Sequence, residues 1–598
     1  MYIHKLTITN FRSFDSLTIV FNKGVNILIG ENNSGKSTVI DALRICLGYG
    51  KSDYSLSVKE SDLHINPNKP DERNPEIRFD LFFEIEKSII EKQCFYDFIS
   101  IDKESKKETI QMHYKFIWMQ KGKQKFFKRE IWGGDNEHQQ VPYEALQEIF
   151  FTYLDPLRDA VTSLRPFSYN NKTAQLFNEL TSFKKGDNSI PLTEDRKRNI
   201  ARELYSIFEN DDHDWKHILS TGNSKVNTHL EGTGITDKYP NIEMNYVGRK
   251  FSDVVKGIEL KRPIFKDTPK ENQEYFELYQ NGLGENNLIY ASVVLGDLIN
   301  RCEDEELQIY NVLLVEEPEA HLHPQYQNTF FQYLNKLKDS GLQIFITSHS
   351  PTITAKSSIE NVTVLQKQED KVYAFSFSSL TDKEYSDKNK RHLRKFLDTT
   401  KSQMLFANGV LLVEGIVEAI IIPVLAKKYL DIDLEKKGIE IVNINGVAFE
   451  HFAKLFNSKE KGKRLEVHCA LITDSDPLGD KTKSDRAISA EKLEGGNLLV
   501  KLAPHTLEHD LFEASDANKM VMRQIYRKMH DSTLGLIPDF TAETLMEKLK
   551  LNQDKGDFAL ELKDALCGDS HYEGLSDALR DFCIPTYLEE AIKWVAKV

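Results

Sequence analysis

Paired cysteines, long apolar runs and an excess of positive charge are all missing from this chain, and each gap narrows what it can be. The six cysteines, Cys46, Cys94, Cys302, Cys469, Cys567 and Cys583, include no C-x-x-C pair. That removes a zinc ribbon and a secreted disulfide framework, and it suits a reducing compartment. The most apolar stretch, Gly409–Ala426, is interrupted by Glu414 and Glu418 and is short for a membrane span. The opening MYIHKLTITNF alternates polar and apolar residues instead of setting a basic segment before an apolar core, so no export signal is expected. The expectation is a soluble, cytoplasmic protein. A formal net charge of −14 excludes a surface coated in positive potential. Contact with nucleic acid must then come from local basic clusters.

What is present suffices for about two to four domains, since 598 residues at 40% hydrophobic can bury sizeable interiors. The mostly apolar Val25–Ile29 predicts a buried strand, and Gly30-Glu-Asn-Asn-Ser-Gly-Lys-Ser37 follows it directly. That segment fits the phosphate-binding pattern G-x-x-x-x-G-K-[ST], with a helix predicted over Ser37–Leu47. Glycines let such a loop curl until its N–H groups face phosphate oxygens, and the helix N-terminus adds positive potential. Gly30, Asn32, Asn33, Gly35, Lys36, Ser37 and Thr38 are therefore candidate ATP contacts, with Lys36 reaching the terminal phosphates and Ser37 holding Mg2+.

Mg2+ and an attacking water also call for carboxylates. Asn311-Val-Leu-Leu-Val-Glu-Glu-Pro-Glu-Ala-His-Leu-His-Pro324 supplies them, as a short buried strand ending in Glu316 and Glu317. Ligands of open α/β sheets collect at such carboxyl ends. Glu316 is assigned to the Mg2+ shell and Glu317 to polarising the water that attacks the γ-phosphate. His321 and His323 form an H-x-H pair, for which a structured turn is favoured over a metal site. A further buried strand, within Gln343-Ile-Phe-Ile-Thr-Ser-His-Ser-Pro351, sets His349 to sense the γ-phosphate or position water.

In this order the three elements resemble the head domain of ABC-type ATPases, in the branch of the DNA-repair and chromosome-condensing ATPases. Ile8-Thr-Asn-Phe-Arg-Ser-Phe14 also resembles that branch, which implies a phosphate contact for Arg12. The resemblance further implies a glycine-rich signature that caps the nucleotide of an opposite protomer. Gln280-Asn-Gly-Leu-Gly-Glu-Asn-Asn287 is the candidate, through Gly282, Gly284 and Glu285, although it departs from the usual LSGGQ-like wording. ATP would then lie between two heads, in a dimer or tetramer. Sustained heptads are missing between loop and signature, so no long coiled-coil arm is expected. Alternating strands around Ile77–Glu86, Ile110–Met119 and Gln124–Ile131 suggest that the sheet of the head continues to about residue 150. Residues 153–253 read as a helical insert, the expected dimerisation surface, between head segments 1–152 and 254–380.

A polar, lysine-rich stretch, 381–401, is expected to link the head to a second set of acids in residues 402–598. Gly409-Val-Leu-Leu-Val-Glu-Gly-Ile-Val-Glu418 reads as a strand, an acid and a helix. Ala470-Leu-Ile-Thr-Asp-Ser-Asp476 repeats the theme, and Thr506-Leu-Glu-His-Asp-Leu-Phe512 adds Glu508 and Asp510. A parallel sheet would gather these carboxylates on one edge, where they repel unless cations join them. Such a hard oxygen cluster suits Mg2+ or Mn2+, and two such ions can flank a phosphodiester.

Strand-E-G-x-x-E followed by strand-D-x-D resembles the Toprim domain, and an ABC head ahead of a Toprim domain is similar to the OLD (overcoming lysogenisation defect) family of nucleases. The implied fold is α/β, an ABC-type head with a helical insert and then a Toprim domain with a helical C-terminal extension. The resemblance implies metal-ligand roles for Glu414, Glu418, Asp474, Asp476 and Glu508, with Asp510 a further candidate, and catalytic roles for Glu414 and Asp474. It also implies a charge-stabilising lysine, which Lys555 fits as well as it fits an ordinary surface lysine. Its members are linked with phage defence, some beside a helicase or a reverse-transcribed DNA element. DNA contacts are expected near the acids, from Lys459–Arg464 and Lys481–Arg486, with Lys388–Lys395 and Lys121–Arg129 as other basic runs. A different class stays open on sequence alone: a non-catalytic ATPase clamp binding DNA or a partner, with a structural acidic domain.

Overall fold

Polar–apolar alternation at the N-terminus gives two antiparallel strands, β1 (Tyr2–Phe11) and β2 (Phe14–Val20), with Leu6, Ile8, Leu17 and Ile19 turned inward and buried. β3 (Val25–Gly30) leaves that sheet, which continues through β4 (Glu76–Glu84), β5 (Ile99–Ile101), β6 (Glu108–Lys121) and β7 (Gln124–Gly133). Its order is β2-β1-β4-β6-β5, with β7 also paired to β6, and every pair is antiparallel. The alternating strands expected to continue the sheet of the head pair with β1 and β2, in a sheet separate from the one that carries the phosphate loop. One-sided patterning suits an antiparallel sheet with a single covered face.

The computed structural model describes the chain apart from residues 52–55, 69–72, 87–88, 102–106, 138, 140, 157–159, 169–170, 183–191, 210–213, 232–249, 266–273, 303–308, 382–383, 445–448, 476–482, 531–539 and 569. β8 (Ile149–Leu154) is followed by helices at Ala160–Ser163, Lys172–Ser182, Glu194–Glu209, Asp214–Glu231 and Phe251–Lys256. A two-strand ribbon comes next, β9 (Arg262–Pro263) with β10 (Tyr275–Phe276). Then come β11 (Tyr310–Glu316), β12 (Gln343–Ser348), β13 (Val362–Gln368) and β14 (Lys371–Ser376). With β3 and β8 they make the phosphate-loop sheet, ordered β14-β13-β3-β12-β11-β8 and parallel except for the β13–β14 hairpin. All six residues of β3 and of β12 are buried, as expected of parallel strands covered on both faces.

A second, wholly parallel sheet follows, ordered β16-β15-β17-β18, from β15 (Gly409–Val413), β16 (Ile439–Asn443), β17 (His468–Asp474) and β18 (Leu498–Ala503). Helices fill the chain after β18 among the described residues and end with Thr586–Ala596. The architecture is therefore α/β: a phosphate-loop head followed by a smaller parallel-sheet domain with a helical C-terminal region. Among the described residues no helix is long and apolar enough to cross a membrane.

One core joins the two parts. Val25, Ile27 and Ile29 of β3 and Leu313 and Val315 of β11 pack in the same cluster as Val410 and Leu412 of β15 and Leu498 and Val500 of β18. The alternate residues Leu411 and Val413 face a different core under the C-terminal helices. The period of two along β15 splits its side chains between these cores. The stretch expected to be a linker is folded into this junction. Its helix Asp387–Phe396 buries Leu393, and the Tyr385 hydroxyl donates to the His451 carbonyl at 2.7 Å. An amphipathic helix hides apolar residues inside a charge-rich sequence, which is why composition alone suggested a tether. Phe456 is fully buried in the shared core. Replacing Phe456 with Ala is expected to destabilise the chain by about 3–5 kcal/mol, seen as a lower thermal midpoint.

Candidate functional site

Parallel pairing fixes the first site. Ser348 of β12 lies opposite Ile29 of β3, and Glu316 of β11 lies opposite Thr347 of β12. The phosphate loop, the acidic turn and His349 therefore leave the same sheet edge side by side. Gly30 and Gly35 hold φ of 146° and 95°, and Asn33 holds 63°, which curls the loop ahead of the helix Lys36–Leu47. The Lys36 ammonium donates to the carbonyls of Gly30 at 2.9 Å and Glu31 at 2.7 Å. Burial lowers its pKa to about 8, against the opposing fields of Glu317, Glu319 and Glu31. Ser37 donates from Oγ to Glu316 at 2.9 Å, and Tyr153 of β8 donates to the other Glu316 oxygen at 3.2 Å. β8 thus runs two residues past the expected boundary at 152, and its Tyr153 reaches the site. Burial raises the pKa of Glu316, and the hydroxyls of Ser37 and Tyr153 counter it.

Glu317 sits at φ 42° in the left-handed region, and its carboxylate stands 3.5 Å from His349 Nε2. Burial, followed by the field of Lys36, lowers the pKa of His349. Glu319 is a third acid, missed in the sequence because it lies past Pro318 and off the strand end. Its Oε1 accepts from the Ser348 hydroxyl at 2.8 Å and from the His349 backbone N–H at 2.7 Å, which fixes the His349 turn. His323 caps the helix Pro324–Leu337 by accepting from the Gln325 N–H, in keeping with a structured turn. A cavity of about 440 Å3 beside the loop is lined by Gly30, Glu31, Asn32, His349 and Pro351, and by Gln403 and Phe406 from just ahead of β15.

Arg12, for which a phosphate contact is expected, pairs with Asp41 at 2.6 Å and Asp62 at 2.8 Å. Thr38 is buried in the first turn of the helix Lys36–Leu47. The glycine-rich segment begins the helix Leu283–Cys302. Gly284 lies so close to the His321 carbonyl that a Cβ would stand 2.5 Å from it, which ties the segment to the acidic turn. Gly282 has open space around it, and Glu285 pairs with Arg262.

The second site forms at the carboxyl edge of β15–β18. Leu412 lies opposite Leu471, so Glu414, just past β15, comes level with Thr473 and Asp474 at the end of β17. Its Oε1 accepts from the Thr473 hydroxyl and, at 3.3 Å, from the Asp474 N–H. Its Oε2 pairs with Arg486 at 2.6 Å. Glu418 lies in the first turn of the helix Ile416–Tyr429 and folds back over Gly415, where a Cβ would stand 2.9 Å from its carboxylate. Burial raises the Glu418 pKa; Glu508 and Glu414 add to this, and Lys555 opposes it. Glu508 is buried in the helix Leu507–Glu513, and Lys555, first residue of the helix Lys555–Cys567, reaches it at 3.2 Å.

Asp510 accepts from the His505 N–H at 3.3 Å, and burial raises its pKa. Tyr587, on the last helix, was not anticipated. Burial pushes its phenol far above the ordinary range, and Asp510, Asp474 and Glu418 add to this. Asp476 lies outside the described residues. Among the described residues no three acids, histidines or cysteines already stand as a set able to hold one metal ion. Cations from Arg486 and Lys555 meet Glu414 and Glu508 instead. The donor set itself, all carboxylate and partly buried, fits a hard divalent ion.

The basic runs expected to meet DNA are largely paired. Lys461 donates to Tyr373, Lys463 pairs with Glu384 at 2.7 Å, and Arg464 is buried against Glu466 at 3.2 Å. Lys459–Arg464 therefore serves the junction with the head more than a ligand, because the fold turns that charge run toward β14 and residue 384. Arg394 pairs with Glu360, and Lys128 with Glu130. Lys483 pairs with Glu491, while residues 481 and 482 lie outside the described chain.

The Lys36 pKa of about 8 has a measurable consequence. The ammonium is largely neutral above that pH, and polyphosphate favours its charged form. ATP binding should therefore take up a proton at about pH 9 and none at about pH 6.5, and affinity should fall as pH rises through about 8. Calorimetry in buffers of different ionisation enthalpy reads this directly, and an uptake that does not change with pH would contradict it.

Comparison with known proteins agrees with this division. A family model described as "AAA ATPase domain" matches residues 1–354, and "Overcoming lysogenization defect protein-like, TOPRIM domain" matches residues 405–476. The chain is 22% identical over 386 residues to "Endonuclease GajA" of Bacillus cereus, covering 53% of each chain. It is 23% identical over 316 residues to "Old nuclease" of Escherichia phage P2, covering 49% of this chain and 52% of that one. A shorter match, 31% over 139 residues, is to "OLD nuclease" of Thermus scotoductus, covering 23% of this chain and 26% of that one. The chain spans about half the length, or less, of the curated relatives it matches. With its phosphate loop and acidic strand ends inside the first matched region and Glu414 and Asp474 inside the second, the chain belongs to the AAA ATPase domain family, in the form that carries an OLD-like TOPRIM domain behind the ATPase.

Proposed function

We propose that this chain is an ATP-governed, divalent-metal-dependent DNA endonuclease that works as a homo-oligomer in the cytoplasm, in defence against phages. The observation that carries this reading is the convergence of Glu414, Glu418, Asp474 and Glu508 at one edge of a parallel sheet that shares its core with a phosphate-loop ATPase. The names of the relatives, endonuclease and OLD nuclease, point to the same chemistry. Those four residues, with Asp476, would hold Mg2+ or Mn2+. Such ions supply activation of water and neutralise the charge that develops on a phosphodiester.

The chain's own groups prepare the rest. Thr473 and the Asp474 N–H orient Glu414, and Lys555 holds a positive charge at Glu508 where a phosphate oxygen can take it over. In the head, Lys36 and the loop N–H groups would bind the ATP phosphates, with Ser37 and Glu316 turned to the Mg2+ they carry. Arg12, Gly282, Gly284 and Glu285 would add contacts once a second head closes over the nucleotide. Glu317 with His349 would orient the attacking water. A helicase or an element built around reverse-transcribed DNA is the class of partner that the family resemblance implies.

Replacing Glu414 with Gln or Asp474 with Asn keeps side-chain volume and should lower Mn2+-dependent plasmid nicking about a hundredfold or more, with ATP binding unchanged. Unchanged nicking in a clean preparation would remove the assignment. The cation pairing of Glu414 and Glu508 favours one second reading, a clamp whose acidic domain is structural. ATP turnover with no nicking under Mg2+, Mn2+ or Co2+ would establish it. Separately, Glu317→Gln should slow ATP hydrolysis by about 10²–10⁴-fold while leaving ATP affinity near that of the parent chain; hydrolysis at the parental rate would exclude Glu317 from that role.

A further inference from the structure

Arg486, expected only as the last residue of a basic run near the acids, stands directly on Glu414. It lies in the helix Asp485–Glu491, ten positions after Asp476 in the sequence. Its guanidinium pairs with Glu414 Oε2 at 2.6 Å and stands 5.5 Å from the centre of the Phe449 ring. About a quarter of the side chain is exposed. The opposite oxygen of Glu414 is held by Thr473 and the Asp474 N–H, so the face turned to Arg486 is the one left for a metal ion. A guanidinium stays charged at every working pH, so it cannot make way by losing a proton. It has to move.

We propose that Arg486 and a divalent ion compete for Glu414, and that the phosphodiester, arriving with the metal, takes over the released guanidinium. This deepens the nuclease reading and rests on it. A cation displaced from a carboxylate in a largely enclosed site needs another anion, and phosphate accepts the planar fork through two parallel hydrogen bonds. The Phe449 ring gives the side chain a resting surface as it swings. Metal alone is then bound weakly, metal and DNA promote each other, and the site resists loading with an ion when no substrate is there.

The test is Mn2+ titration of the full chain by calorimetry, without DNA, beside DNA cleavage at saturating Mn2+. Excess non-hydrolysable ATP analogue keeps the head's metal site filled. Arg486→Gln should tighten Mn2+ binding about tenfold and lower cleavage about a hundredfold. Arg486→Lys keeps the charge and should leave Mn2+ affinity near the parent value while still cutting slowly. Lys454→Gln, which removes a cation paired with Glu450 beside Phe449, should change neither. Mn2+ affinity unaltered or weakened in Arg486→Gln, or tightened equally in Lys454→Gln, overturns the competition. If the Gln variant does not fold, an Arg486→Lys chain that cuts as fast as the parent overturns it, and one that cuts slowly at parental Mn2+ affinity supports it. A parent chain that cuts no DNA sinks the nuclease reading itself, an outcome distinct from these.

Discussion

Like charges gathered at the carboxyl ends of parallel strands must be offset, and that constraint runs through both halves of the molecule. Parallel pairing brings every strand of a sheet to an end on one edge, so acids far apart in sequence become neighbours. In the head, Glu316, Glu317 and Glu319 face the Lys36 ammonium and the hydroxyls of Ser37 and Tyr153. In the second domain, Glu414 and Glu508 face Arg486 and Lys555. Burial raises the pKa of Glu316, Glu319 and Glu418 alike, a sign that each would gain from a further cation. The same electrostatic problem is solved twice, with lysine in a glycine-rich loop and with long cations from later helices.

The two sites are also mechanically close. One hydrophobic cluster runs from β3 and β11 into β15 and β18. Gln403 and Phe406, just ahead of β15, line the cavity beside the phosphate loop. The last helix, Thr586–Ala596, has Tyr587 among the second domain's carboxylates, while Lys597, just past its other end, acts on Glu31 of the loop. A helix of this length spans only about 15 Å. A displacement of the phosphate loop therefore has a short, well-packed route to the acids, the route by which the proposed control of one site by the other would act.

Much of this was legible in the sequence because strand-end acids follow apolar runs with a fixed period. Glu316 and Glu317, and later Glu414 and Asp474, are found by that rule, Lys36 and Ser37 by the phosphate-loop pattern, and the structure sets each group on one sheet edge. The rule fails where a residue enters from another element. Tyr153 reaches Glu316 from a strand 163 positions earlier. Glu319 lies beyond Pro318, and Tyr587 comes from the final helix. Charge runs mislead for a related reason. Lys459–Arg464 reads as a ligand surface, yet Lys463 and Arg464 are committed to Glu384 and Glu466, a choice made by tertiary packing rather than by local composition. The stretch 381–401 reads as a tether because its buried apolar residues, among them Tyr385, Leu393 and Leu397, stand singly among charged neighbours.

Under the proposed function, distant carboxylates of the second domain make one pocket for divalent ions. A crystal grown with Mn2+ and a short DNA duplex, measured at the manganese absorption edge, tests it most directly. Anomalous peaks are expected between Glu414, Asp474 and Glu508, with Arg486 turned from Glu414 toward a phosphate. Peaks confined to the phosphate loop, with Arg486 still on Glu414 while DNA is bound, would contradict it.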